Sequence, residues 1–169
     1  AGRGGAWKLV NPPVERASTV VHPTLAAYEA AWHGDRFEGL TYGLHGTHTA
    51  FALEEALGAL EGCRRAILLP SGLAAITTAI LACVKSGDHI LVADCAYGPT
   101  RKFCDQYLAR YGVATDYFHP GSDIAPLMRP NTRLVFCEAP GSLTFEMQDI
   151  PEIAAIAHGH GALVAMDNT

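Results

Sequence analysis

The sequence predicts an α/β protein with a mainly parallel sheet flanked by helices. Three observations carry that prediction. Short, nearly unbroken apolar runs (89–93, 113–118, 133–137 and 162–167) alternate with stretches of helical spacing. Strands covered on both faces read as such runs, whereas half-exposed strands alternate apolar with polar. Pro and Gly fall between these runs and not inside them, which is where chain reversals belong. Finally, 169 residues that are 49% hydrophobic and 17% charged can build a substantial core.

The elements follow in order. After an irregular start containing Pro12, Pro13 and Pro23, a helix is expected near Leu25 to His33, then the Gly-rich turn GLTYGLHGT. From Thr49, Ala50, Leu53, Leu57 and Leu60 recur at helical spacing, and Gly62 is placed to end that helix. AILL (66–69) reads as a short buried strand, broken by Pro70-Ser71-Gly72 and followed by a helix from Leu73 to Val84. Ser86-Gly87-Asp88 turns the chain into the strand HILVA. Pro99 opens a helix expected to run to Tyr111, with Gly112 closing it. VATDYF is the next strand, 123–128 a short helix and RLVFC another strand. Asp149 caps a helix through His158, and ALVAMD is the last strand.

Composition removes several function classes. A formal net charge of −5, with Lys and Arg scattered, argues against nucleic acid as a main partner. The five cysteines are odd in number and form no CxxC pair, so reduced thiols and a cytoplasmic location are expected. The longest apolar stretch, 73–84, is too short to span a bilayer. The opening AGRGGAWK has neither a signal-peptide core nor an initiator Met, which suggests a piece of a longer protein. His45 with His48, and His158 with His160, lack a neighbouring acidic or Cys cluster, so no metal is expected.

Ligands of parallel sheets gather beyond the carboxyl ends of the strands. Three such ends carry chemistry here. Ser71-Gly72-Leu73 opens a helix whose first N–H groups can meet an anion such as phosphate. The same tripeptide also reads as a plain turn with a helix cap, and no glycine pattern of a nucleotide site accompanies it. Tyr97, just past HILVA, can stack on an aromatic ligand or pack on its own helix. Asp167 ends an apolar strand, where a carboxylate costs free energy unless a cation or several donors meet it. Cys95 lies nearby without a Cys/His/Asn signature and reads as packing.

Five motifs in order (TYGLHGTHTAFALEEALGALEG, LLPSGLAAITTAILACVKSGDHIL, CAYGPTRKFC, RLVFCEAPGSLTFEMQDI and AMDNT) resemble the Cys/Met-metabolism family of pyridoxal phosphate enzymes. The resemblance runs from about Asn11 onward. It implies the large cofactor-binding domain of fold-type I pyridoxal phosphate enzymes, with pyridoxal 5'-phosphate as cofactor and no metal. By resemblance, Gly72 and Leu73 offer backbone N–H groups to the phosphate, Tyr97 stacks on the ring, and Asp167 pairs with the ring nitrogen. Tyr42 would reach the phosphate of the neighbouring subunit. The family's Tyr-Gly-Arg-x-Gly-Thr pattern reads here Tyr42-Gly43-Leu44-His45-Gly46-Thr47, and Leu44 cannot make the charge-assisted contact of that Arg.

The stretch Glu138 to Ser142 has the Pro-Gly-Ser form of the bacterial β-lyases. The implied reaction is cleavage of cystathionine to homocysteine, pyruvate and ammonia. A γ-lyase, γ-synthase or methionine-type lyase remains a neighbouring reading, and a non-catalytic α/β binding module a more distant one. The family's Schiff-base Lys follows the Asp-Asn-Thr motif within a Ser/Thr-x-Thr-Lys stretch. Lys8, Lys85 and Lys102 stand in no such motif. The chain is therefore expected to be an incomplete cofactor-binding domain, inactive alone, with 1–48 an N-terminal arm and intersubunit segment and 49–169 the cofactor-binding part. A homodimer or homotetramer of the full-length enzyme is implied through Tyr42.

Overall fold

The computed structural model describes residues 10–34 and 39–169; Lys8 lies outside them. The chain divides into two compact units, residues 1–68 and 69–169.

In the first unit, α1 (Leu25–His33) is capped by Thr24, whose Oγ1 accepts the Ala27 N–H at 3.1 Å. A 3-10 turn (Gly43–His45) precedes α2 (His48–Glu61), which ends on Gly62 at φ 63°. Thr19 and Tyr42 form an isolated antiparallel bridge. Only glycine fits at position 43, because a Cβ there would lie 1.9 Å from the Ala17 carbonyl oxygen. The Tyr-Gly pair of this motif thus has a local structural cause as well as a family one.

The expected strand 66–69 does not form. Ile67 is 58% exposed, and the segment joins no ladder among the described residues. An apolar run becomes a strand only when a neighbouring strand takes up its N–H and C=O groups, and spacing alone says nothing of that neighbour.

The second unit holds α3 (Gly72–Cys83), β1 (His89–Ala93), α4 (Gly98–Gln106), β2 (Ala114–Phe118), β3 (Thr132–Glu138), α5 (Ile150–Gly159) and β4 (Leu163–Asp167). The expected helix 99–111 is two pieces: α4, then a 3-10 turn (Leu108–Tyr111) that closes on Gly112 at φ 76°. The expected helix at 123–128 shrinks to one 3-10 turn (Ala125–Leu127), fixed by the Ala125 N–H on Asp123 Oδ1 at 2.8 Å.

All strand pairs are parallel, in the order β2-β1-β3-β4. Alternate residues serve the two faces. Ile90, Val92, Leu134 and Phe136 pack with Ile76 and Ile80 of α3, Cys104 of α4 and Leu108. Leu91, Ala93, Val135 and Cys137 pack with Phe118, Ile124 and with Ile153 and Ala157 of α5. The chain leaves β1 toward one edge and later runs from β3 to the other. The order therefore reverses between β1 and β3, and the carboxyl ends of those strands open a crevice there.

Candidate functional site

A cavity of about 370 Å³ occupies that crevice, within the range of small-molecule sites. Gly72, Leu73, Tyr97, Glu138 and Asp167 line it. Four residues singled out at strand ends and helix starts, Gly72, Leu73, Tyr97 and Asp167, thus meet in one place. An open groove of about 630 Å³ lies along Leu73, Lys102, Phe103 and Tyr107, but no carboxylate lines it. The smaller cavity, with donors, an aromatic ring and acids together, is the candidate site.

Each wall has a local cause. Ser71 caps α3, its Oγ accepting the Ala74 N–H at 3.1 Å and its carbonyl the Ala75 N–H at 3.0 Å. The N–H groups of Gly72 and Leu73 belong to the first turn, where a helix supplies no acceptor of its own and its dipole favours an anion. Open space surrounds Gly72 where a Cβ would sit. Tyr97 is the N-cap residue of α4 and is 45% exposed, its ring free to meet a ligand.

Asp167 ends β4 opposite Glu138 in the β3–β4 ladder. One of its oxygens, Oδ1, accepts from the Thr169 N–H at 3.0 Å and the Thr169 hydroxyl at 2.6 Å. These two local donors hold the carboxylate in place at the strand end.

Glu138 is the site residue that reading the sequence missed. It is 8% exposed, and its Oε2 accepts the Tyr97 N–H at 2.7 Å. Burial pushes its carboxyl pKa up, the Tyr97 N–H opposes that, and the charge of Asp167 adds to it. The signal was available: Glu138 ends an apolar strand just as Asp167 does. Cys95 packs as expected. It is buried, and burial with nearby carboxylates pushes its thiol pKa up, away from a reactive thiolate.

Tyr42 belongs to the first unit. It is 37% exposed, with its ring edge-on to His45 at 5.9 Å between centroids. Leu44 is 83% exposed, and His45 Nδ1 lies 3.0 Å from Thr41 Oγ1. Among the described residues, no group of three or more His, Cys, Asp or Glu side chains is placed to hold a metal, and no helix is long and apolar enough to cross a membrane.

A doubly wound sheet with a helix start, an exposed aromatic ring and a strand-end acid on one crevice is the arrangement of an α/β domain with a small-molecule site. The chain belongs to the Cys/Met metabolism PLP-dependent enzyme family, whose model matches residues 3–169. A relative from Rhizobium johnstonii, provisionally named a cystathionine beta-lyase, is 56% identical over 95% of this chain and 40% of its own length. Cystathionine beta-lyase MetC of Escherichia coli is 39% identical over 100% of this chain and 44% of its own. The crystal structure of metB from Corynebacterium glutamicum superposes with a TM-score of 0.85 at 27% identity, over 95% of this chain and 40% of that one. Other relatives carry different names: an O-succinylhomoserine sulfhydrylase at 38% identity and an L-alanine/L-glutamate racemase at 36%. The chain spans less than half the length of these proteins.

Pyridoxal phosphate is the cofactor of this family. The cavity residues fit it. First-turn N–H groups suit a phosphate, a half-exposed Tyr suits a flat ring, and a fixed carboxylate suits a protonated ring nitrogen.

Proposed function

We propose that the protein carrying this chain is a carbon–sulfur β-lyase that cleaves cystathionine to homocysteine, pyruvate and ammonia. The observation that carries this reading is the meeting of Gly72, Leu73, Tyr97 and Asp167 on one cavity, in a chain whose relatives include several named cystathionine beta-lyases.

When bound, pyridoxal phosphate supplies a conjugated ring that accepts the electrons left when a substrate Cα proton departs. The first-turn N–H groups of Gly72 and Leu73 hold the phosphate arm against the α3 dipole. The Tyr97 ring, exposed on the cavity, would stack on the pyridine and orient it. Asp167 accepts a hydrogen bond from the ring nitrogen, and its negative charge keeps a proton there. That proton makes the ring a better electron acceptor, which is the feature an elimination needs. Tyr42 serves the phosphate of a second copy in a dimer or tetramer, with Leu44 leaving that contact without a cation. That intersubunit role falls to the segment before residue 49, and the cavity residues all belong to the unit 69–169.

The relative named as a sulfhydrylase supports a second reading, another transsulfuration-type activity on the same cofactor. Incubating the full-length enzyme with cystathionine tests the first reading, and the absence of any cleavage would favour the second. Pyruvate with homocysteine is expected; 2-oxobutyrate with cysteine would replace the β-lyase reading with a γ-lyase.

A further inference from the structure

We propose that Glu138 is a positioning residue that sets the Tyr97 ring over the cofactor through one main-chain hydrogen bond. The inference rests on the cofactor site proposed above and adds to it a residue to which that reading gives no role at the phosphate or the ring nitrogen.

The geometry is specific. Tyr97 has no side-chain cap at the start of α4 and adopts φ −45°, ψ 129°. Its N–H ends on Glu138 Oε2 at 2.7 Å, a bond spanning 41 positions of sequence. The rest of the corner is tied elsewhere: Asp94 N–H to Phe118 O, Ala96 N–H to Ala93 O, and Ser142 N–H to Cys95 O, while the Arg101 guanidinium holds Asp94 O. The Tyr97 carbonyl accepts the Thr100 N–H at 2.8 Å and the Arg101 N–H at 3.2 Å within the first turn of α4, and the Glu138 carboxylate holds its N–H from across the sheet. Where that N–H goes, the Cα–Cβ bond of Tyr97 follows, and with it the point from which the ring reaches the cavity.

Glu138 is in turn held still. Its carbonyl accepts Gln148 Nε2 at 2.6 Å, its Cα pairs with Asp167, and the next N–H, of Ala139, reaches Asp167 O at 3.2 Å. The Tyr97 ring and the Asp167 carboxylate are therefore referenced to one strand end. The cost of this arrangement argues for a role. A carboxylate is buried beside a second carboxylate, which raises its pKa, although an uncharged side chain would pack there without that penalty. A charge-assisted bond to the N–H is what the carboxylate adds.

The experiment uses the full-length enzyme and added pyridoxal phosphate. The readouts are the visible circular dichroism induced in the cofactor, its dissociation constant, and thermal unfolding of the apoenzyme. Glu138→Ala is expected to raise the dissociation constant roughly tenfold, the ratio that about 1.4 kcal/mol represents, and to shrink the induced band. Glu138→Gln, whose amide oxygen accepts the Tyr97 N–H without the charge, is expected to restore part of both. In the Tyr97→Ala background the Glu138→Ala effect on affinity should vanish. Should Glu138→Ala not fold, Glu138→Asp takes its place, because retracting the carboxylate by one methylene breaks the bond and keeps the charge.

A wild-type band and affinity in folded Glu138→Ala or Glu138→Asp would overturn the proposal. So would an undiminished effect once Tyr97 is gone. A wild-type enzyme with no induced band at all would instead overturn the cofactor reading, and this inference with it.

Discussion

Ser71→Asp separates the two things that the start of α3 is asked to do. Ser71 Oγ caps the helix through the Ala74 N–H, and the same turn is proposed to receive the cofactor phosphate. Asp caps as well as Ser, and a negative charge at a helix N-terminus adds about 0.3–1 kcal/mol. The apoenzyme should therefore be as stable as the wild type, or slightly more so. The phosphate, however, would meet a carboxylate in the first turn. For charges roughly 5–6 Å apart in the dielectric of a protein surface the repulsion is about 1–3 kcal/mol. That weakens cofactor binding roughly 5- to 150-fold. Ser71→Ala should do the opposite, costing about 1 kcal/mol of stability through the lost cap while adding no repulsion. The assay pairs thermal unfolding of the full-length apoenzyme with a fluorescence titration of pyridoxal phosphate. Ser71→Asp binding the cofactor as tightly as wild type would refute the placement of phosphate at this turn.

Other expectations concern the frame around the site. His89 is fully buried, with Nδ1 2.7 Å from Thr132 Oγ1 and Nε2 3.3 Å from Asp116 Oδ2. Burial, followed by the charge of Arg129, pushes its pKa below 6.5, against the pull of Asp116. The unfolded chain then binds the extra proton first, so its contribution is fully present above pH 6.5 and is lost as the pH falls toward the folded value. The limit is about 1.4 kcal/mol per pH unit. Urea unfolding from pH 7 to 5 should show this slope, and His89→Asn should flatten it. Gly141→Ala should cost about 1–3 kcal/mol by overpacking, since its Cβ would lie 2.8 Å from Cys95 Sγ and 2.9 Å from Cys95 Cβ. An unchanged unfolding midpoint would show that the loop after β3 yields more easily than its packing suggests. Asp167→Ala in the full-length enzyme should reduce turnover much more than cofactor capture; normal turnover would remove its proposed role.

Much of this layout was legible in the sequence. The strand His89–Ala93, the stretch 133–137 of the strand Thr132–Glu138, the cap at Asp149 and the helix ends at Gly62 and Gly112 follow from local chemistry, which the sequence carries directly. Tyr97 and Asp167 stand out because a polar or aromatic group at the end of an apolar run is a local signal too, and both line the cavity. What was not legible depends on partners far away in sequence. The run 66–69 has strand composition but no ladder among the described residues, and no periodicity reports that. Glu138 was read only as part of the Pro-Gly-Ser motif. Its function as an acceptor for an N–H 41 positions away appears only once β1 and β3 lie side by side.

The most direct test is the protonation state of the cofactor ring nitrogen, measured by nitrogen-15 NMR with ring-labelled pyridoxal phosphate bound to the full-length enzyme. A ring nitrogen protonated at neutral pH in the wild type, and unprotonated in Asp167→Ala, is the result expected. The same state in both proteins would contradict the pairing of Asp167 with that nitrogen, and with it the site as assembled from Gly72, Leu73, Tyr97 and Asp167.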